Sequence, residues 1–342
     1  MYSIATQKAY NCAEKFMTHL HVTEAEPDAM TRSHYRPHFD WQLRTRKLAL
    51  GPRTRLMVIV NVTPDSFSGD GMLGAAGTGV WRGMAAAGAK LAVAAAVEAV
   101  DAGADIIDLG AESTRPDATP LSSEAEQARL LPVIEQLLRE RPQAIISVDT
   151  YHAATARAAA HAGAEIINDV SGLTWDHAMA DVVAQSGCGL VLMHTRGRSG
   201  EWKSLPALDS SVVVPGVFAG LCEQMAQAEA GGIRTERIVV DPGFGFGKRG
   251  AENFALLAGL GRLRELGRPL LIGLSRKGFL GEAVKPVQAK DLDLREARRT
   301  ATVAANVAAI LAGAHIVRVH DLQATREAAA VADAVLNAGD EG

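Results

Sequence analysis

Ala144-Ile145-Ile146-Ser147-Val148-Asp149, then 15 residues from Thr150 to Ala164, then Glu165-Ile166-Ile167-Asn168-Asp169: this stretch decides the fold. Both outer segments are short β-branched runs with almost no polar interruption, the pattern of a strand covered on both faces. Two such strands side by side are parallel, and a parallel pair needs a long crossover. The segment between them is rich in alanine from Ala153 to Ala160 and long enough for about three helical turns. Its Ala162-Gly163-Ala164 ending predicts a left-handed glycine cap that turns the helix into the next strand.

The same unit recurs outward in both directions. Strands are expected at Leu56–Val62, Asp105–Gly110, Ala144–Asp149, Glu165–Asp169, Gly189–His194, Arg237–Asp241, Pro269–Ser275 and His315–Val319. Ala102-Gly103-Ala104, Ser186-Gly187-Cys188 and Ala312-Gly313-Ala314 repeat the helix-ending idea before three others. Eight strand–helix units describe an α/β protein, a (β/α)8 TIM barrel with an N-terminal extension. A doubly wound open sheet is the competing architecture, and it usually has fewer strands. The expected organisation is an irregular extension over 1–38, a hairpin capping the barrel floor over 39–55, and the barrel over 56–338.

Composition agrees with this. The 342 residues are 48% hydrophobic and 22% charged, enough to bury a large core and too apolar for wholesale disorder. A net charge of −4 gives no general attraction for nucleic acid, so any anion is captured locally. No apolar run reaches the roughly 18 residues of a membrane span, and the N-terminus lacks a secretory apolar core. Three separated cysteines (Cys12, Cys188, Cys222) without C-x-x-C spacing read most simply as residents of a reducing cytoplasm.

In a barrel the chemistry sits where the carboxyl ends of the strands converge. Polar residues gather there: Asn61, Asp108, Asp149, Asn168, Asp169, His194, Asp241, Ser275-Arg276-Lys277, Arg318 and His320. Any one strand-end Asp or Asn is as readily a loop or helix cap, which is the plain reading of Asp108 and Asp169. Two motifs fail. Gly243-Phe244-Gly245-Phe246-Gly247-Lys248 resembles a phosphate loop, but Pro242 and Arg249 stand where that loop needs Gly and Ser or Thr. His19-Leu20-His21 precedes every strand and reads as two solvated histidines.

With these residues in view, the sequence resembles the dihydropteroate synthases, pterin-binding transferases of folate biosynthesis. The match covers about residues 42 to 338. It rests on Asn61-Val62-Thr63-Pro64-Asp65-Ser66-Phe67-Ser68, Glu112-Ser113-Thr114-Arg115-Pro116, Ser147-Val148-Asp149-Thr150, Ile167-Asn168-Asp169, Met193-His194, Asp241 to Lys248, Ser275-Arg276-Lys277 and Arg318-Val319-His320-Asp321. The resemblance implies condensation of 6-hydroxymethyl-7,8-dihydropterin diphosphate with 4-aminobenzoate, giving 7,8-dihydropteroate and diphosphate. It implies a catalytic set of Asn61, Asp149, Lys277, Arg318 and His320, and a pterin pocket of Asp149, Asn168, Met193, Asp241, Phe246 and Lys277. Met193 and Phe246 are equally readable as ordinary barrel lining.

It further implies a diphosphate pocket of Asn61, Arg318 and His320, with Asn61 meeting a Mg²⁺ that arrives with the substrate. Thr63, Pro64, Asp65, Ser66, Phe67, Ser113, Thr114, Arg115, Pro116, Lys277 and Gly278 are expected to build the 4-aminobenzoate pocket and close the loops. Competitive sulfonamides, a homodimer built on helices near Arg295–Gly313 and Gln323–Ala338, and a cytoplasmic location follow from the same resemblance. Neither nucleic acid nor membrane is an expected partner. The chain departs from the family pattern at Val58, Ala111 and Gly278, where Gly, Gly and Ser are usual, and in a longer first loop. A corrinoid-type pterin-dependent methyltransferase or an idle pterin-binding paralogue is the rival reading. The complete Ser275-Arg276-Lys277 and Arg318-x-His320 motifs speak against both.

Overall fold

The computed structural model describes residues 36–62, 80–112, 120–287 and 294–339. Residues 1–35 of the extension lie outside them. The chain first forms a two-stranded antiparallel hairpin, β1 (Phe39–Gln42) and β2 (Lys47–Leu50). Eight parallel strands follow: β3 (Arg55–Asn61), β4 (Ile106–Gly110), β5 (Ile146–Asp149), β6 (Ile166–Asp169), β7 (Gly189–Met193), β8 (Ile238–Asp241), β9 (Leu271–Ile272) and β10 (Ile316–Val319). Their order is β8-β7-β6-β5-β4-β3-β10-β9, and a parallel bridge between Val240 and Leu270 joins the two ends. The sheet closes, and the open-sheet alternative falls.

The helices are α1 (Val80–Asp101), α2 (Ser123–Glu140), α3 (Ala153–Ala162), α4 (Met179–Ser186), α5 (Ser210–Ala230), α6 (Gly250–Ala258), α7 (Gly278–Val284), α8 (Leu294–Leu311) and α9 (Leu322–Gly339). Gly103, Gly163, Gly187 and Gly313 all take the left-handed conformation at the helix ends expected of them. On α2 the apolar residues Leu130, Val133, Ile134 and Leu137 recur at helical spacing and pack against Ile107, Leu109, Ile146 and Val148 of the sheet. The seventh barrel strand is shorter than its sequence run. After Ile272 the chain leaves the ladder, and Arg276 turns it through a positive φ of 59° into α7.

Side-chain alternation then sorts the barrel interior by height. Met57, Ile106, Ile166, Val191, Val239, Leu271 and Ile316, one from each of seven strands, form one apolar cluster with Trp41, Leu43, Leu48 and Leu50 of the hairpin. That cluster is the floor. Two residues further along each strand, where the side chain faces inward again, stand Ile59, Asp108, Ser147, Asn168, Met193, Asp241, Gly273 and Arg318. One step of the pleat converts a hydrocarbon floor into a polar chamber.

The hairpin is fixed from several sides. Trp41, 1% exposed, donates its Nε1 proton to the carbonyl of Arg237 at 2.7 Å. The buried Arg36 donates to the carbonyls of Gly51 (2.8 Å) and Ala314 (3.1 Å) and pairs with Asp333 of α9 (2.8 Å). Among the described residues no helix is long and apolar enough to cross a membrane. Trp41→Ala should cost about 4 kcal/mol of stability, the usual scale for a buried aromatic. Turnover per folded molecule should be unchanged, since the floor lies a full pleat below the polar chamber. Denaturant titration with parallel activity measurement checks this, and a loss below about 1 kcal/mol would contradict the floor assignment.

Candidate active site

The polar chamber is built around Arg318. Its Nε donates to Asp108 Oδ2 at 2.6 Å and its Nη2 to Asp149 Oδ2 at 2.5 Å, with one-fifth of the side chain exposed. Asp108, fully buried, also accepts the Ser147 hydroxyl at 2.6 Å and the Asn168 amide at 3.2 Å. Strand register explains the convergence: Asp108 is paired with Ser147, and Asp149 with Asn168. Sequence reasoning missed Asp108 by taking it for a cap. Asp169, read the same way, is a cap: its oxygens accept the backbone N–H groups of Ser171 (2.8 Å) and Leu173 (2.7 Å).

Burial pushes Asp149 up to about 7; the Arg318 guanidinium opposes this, while Asp108, Glu126 and Asp169 add to it. Burial likewise pushes Asp241, at the end of β8, up to about 6, against a 2.7 Å hydrogen bond from the Gly243 N–H and the nearby cations Lys277, Arg318 and Lys248. Lys277 precedes α7. Its ammonium is pulled down to about 8 by burial and by Arg318, and it lies 4.2 Å above the centre of the Phe246 ring. Phe246 in turn shares an apolar cluster with Met193 and Val170, walled by Tyr151, Trp175 and Trp202. The two residues readable as plain lining therefore sit together at the edge of the chamber, beside a cation.

His320 follows β10. Ser275 Oγ accepts its backbone N–H at 3.2 Å and meets its Nδ1 at 2.9 Å. The Ser275 hydroxyl can donate to Nδ1 or accept from it, so this contact fixes the orientation of the ring. Burial, with Arg276, Arg318 and Lys277 nearby, lowers His320 to about 3, so its ring is neutral at physiological pH. Asn61 ends β3 beside this group of strands. Gly278 opens α7 with nothing within 4 Å of where a Cβ would stand, so packing does not demand the missing side chain.

Thr63, Pro64, Asp65, Ser66, Phe67, Ser113, Thr114, Arg115 and Pro116 lie outside the described residues. Two further groups were not anticipated. Glu112, at the end of the β4 segment, accepts the Tyr151 hydroxyl at 2.9 Å and the Leu121 N–H at 3.0 Å. Lys248 is buried under the glycine-rich turn after β8, where burial pulls its ammonium down to about 7. Among the described residues, no group of three or more His, Cys, Asp or Glu side chains is arranged to hold a metal ion.

Such a chamber accepts hydrogen bonds at one buried carboxylate and offers cations and a neutral imidazole to an anion nearby. The model of the family described as pterin binding enzyme matches residues 57–320. The dihydropteroate synthase of Escherichia coli K12 is 38% identical over 285 residues, 83% of this chain and 92% of that protein. Bifunctional folate-synthesis proteins of plants are similar at 38% identity, and the chain spans about half of their length. Among solved structures, the Xanthomonas albilineans dihydropteroate synthase with 4-aminobenzoic acid is 41% identical, with a TM-score of 0.73 over 88% of this chain and 98% of that one. The Yersinia pestis enzyme with a sulfonamide drug complex is 34% identical, with a TM-score of 0.75 over 88% and 100%. The chain belongs to the pterin-binding enzyme family, among its dihydropteroate synthases.

Proposed function

We propose that this chain condenses 6-hydroxymethyl-7,8-dihydropterin diphosphate with 4-aminobenzoate to form 7,8-dihydropteroate and diphosphate. The observation that carries the reading is the buried Asp241 carboxylate in a chamber that also holds Lys277, Arg318 and the neutral His320. The amino-pyrimidinone edge of a pterin presents adjacent N–H donors, which a carboxylate accepts in pairs. Asp241 takes that edge, with Asn168 and Asp149 extending the recognition and Lys277 donating on the ring's acceptor side. Met193 and Phe246 pack against the flat heterocycle.

The reaction breaks the bond from the pterin methylene to the diphosphate oxygen and forms one from that carbon to the arylamine nitrogen, which loses a proton. Charge develops on the departing diphosphate, so groups that stabilise it accelerate the step. Arg318 and the neutral His320 ring fill that role, with Asn61. A single neutral amide oxygen suits Mg²⁺ only as an ion delivered by substrate phosphates, the usual habit of this cation. When bound, it would neutralise the leaving charge. Thr63, Pro64, Asp65, Ser66, Phe67, Ser113, Thr114, Arg115, Pro116 and Gly278 complete the 4-aminobenzoate side of this proposal. Sulfonamides, which resemble 4-aminobenzoate, compete there. A methyl-transfer reading would leave Lys277, Arg318 and His320 without an anion to hold.

A cytoplasmic location belongs to the same reading, although two relatives are named as mitochondrial. So does a homodimer through α8 and α9, where Val331 (66% exposed) and Val335 (48%) stand one turn apart on α9. Val331→Lys with Val335→Lys should shift the sedimenting mass from dimer to monomer. A wild-type chain that sediments as a monomer at micromolar concentration would end the dimer proposal.

Purified protein with the pterin diphosphate, 4-aminobenzoate and Mg²⁺ should release diphosphate. Arg318→Ala should lower turnover by at least about a hundredfold, the scale of losing one charge-stabilising donor, and weaken a diphosphate-free pterin far less. Equal losses in both would remove Arg318 from the leaving-group role. The pH profile of kcat/KM should be bell-shaped. As pH falls through about 6, Asp241 protonates and stops accepting the pterin edge, with Asp149 contributing; as pH rises through about 8, Lys277 loses its proton. A profile flat from pH 5 to 9 would contradict these assignments.

A further inference from the structure

We propose that Lys248 is a positioning residue, whose ammonium folds the Gly243–Gly247 turn from inside and thereby holds Phe246 in place against the bound pterin. The proposal rests on the reading of the chamber as a pterin site. The turn that looked like a failed phosphate loop has a different purpose, visible in where its carbonyls point. Lys248 Nζ lies 2.8 Å from the Gly243 carbonyl and 3.3 Å from those of His194 and Phe246. Three carbonyls match the three donors of one ammonium. Lys248 is only 5% exposed, so its donors are spent inside the protein and not on a ligand in solvent.

The backbone beneath the site is otherwise held by Asn253 of α6. Its Oδ1 accepts the Gly245 N–H at 2.7 Å, and its Nδ2 donates to the Lys248 carbonyl at 3.0 Å. Glycine is required at the closest approaches. Gly243 has φ +68°, and a Cβ there would lie 2.0 Å from the His194 carbonyl oxygen; at Gly245, φ +80°, it would lie 3.3 Å from Lys277 Cδ. Phe244, 1% exposed and stacked on Phe279, anchors one side of the turn in the core. Lys248 gathers the carbonyls on the other side, and so fixes the half of the turn that carries Phe246.

What the turn carries upward is functional surface. The Gly243 N–H donates to Asp241, and the Phe246 ring lies under Lys277 and edge-on to Trp202, with ring centres 5.2 Å apart. His194 also belongs to the strand end that hydrogen-bonds across to Asp241, through its N–H to the Asp241 carbonyl at 2.9 Å. Lys248 therefore ties the ends of β7 and β8 to the turn that holds Phe246, without facing the chamber itself.

A double-mutant cycle separates this from a general structural role. Lys248→Met should lower kcat/KM for the pterin diphosphate on the order of tenfold when Phe246 is present, chiefly through KM, and by less than about threefold in a Phe246→Ala background. Asn253→Ala, which removes the second internal clamp, should show the same dependence on Phe246 and serves if Lys248→Met does not fold. Equal fold-losses in both backgrounds, or no loss, would overturn the proposal. An inactive wild-type chain would instead overturn the assignment of the reaction.

Discussion

A guanidinium set in the middle of a closed barrel must be paired on the spot, and Arg318 has two carboxylates for the purpose. Desolvating one charge costs several kcal/mol, and a missing partner would leave a buried charge uncompensated. Asp108 meets that demand and in the same stroke orders Ser147 and Asn168. Asp149 meets it from the next strand. The groups assigned by resemblance to pterin recognition and to diphosphate binding are thus one hydrogen-bonded network, not two neighbouring pockets. Whatever binds at Arg318 is felt at Asp149, because one guanidinium charge faces both.

Most of the architecture was legible because each strand announces itself as a short β-branched run and four of the helices end on a left-handed glycine, at Gly103, Gly163, Gly187 and Gly313. The polar ends of the strands were legible for the same reason. Their roles were not. Asp108 and Asp169 look alike in sequence, yet Asp108 is two residues beyond the inward Ile106 and faces the chamber, whereas Asp169 is three beyond Ile166 and faces the helices. Strands covered on both faces erase the alternation that would reveal this parity. The register of eight strands restores it. Glu112 with Tyr151, and the carbonyls that converge on Lys248, are contacts between segments far apart or bent by left-handed glycines, which spacing alone does not encode.

The net charge of −4 takes on a local meaning in this setting. Lys248, Lys277 and Arg318 are gathered into one end of a weakly acidic molecule, where burial and the neighbouring cation lower both lysines, Arg318 acting on Lys277 and Lys277 on Lys248. His320 is held neutral chiefly by its burial, with Arg276, Arg318 and Lys277 adding to it. Buried carboxylates move the opposite way, and the two trends bring Asp149, Asp241, Lys248 and Lys277 within a narrow span around neutrality.

The hairpin under the barrel has a kinetic consequence. With Trp41, Leu43, Leu48 and Leu50 packed into the floor, the chamber has no rear exit, and everything must pass through the mouth. On the proposed assignment the pterin rests deep, against Asp241 and Asn168, while the arylamine pocket lies nearer the rim by Lys277. On that assignment the deep guest would enter before the shallow one. A plug of four side chains would thereby set an order of events for a reaction it never touches.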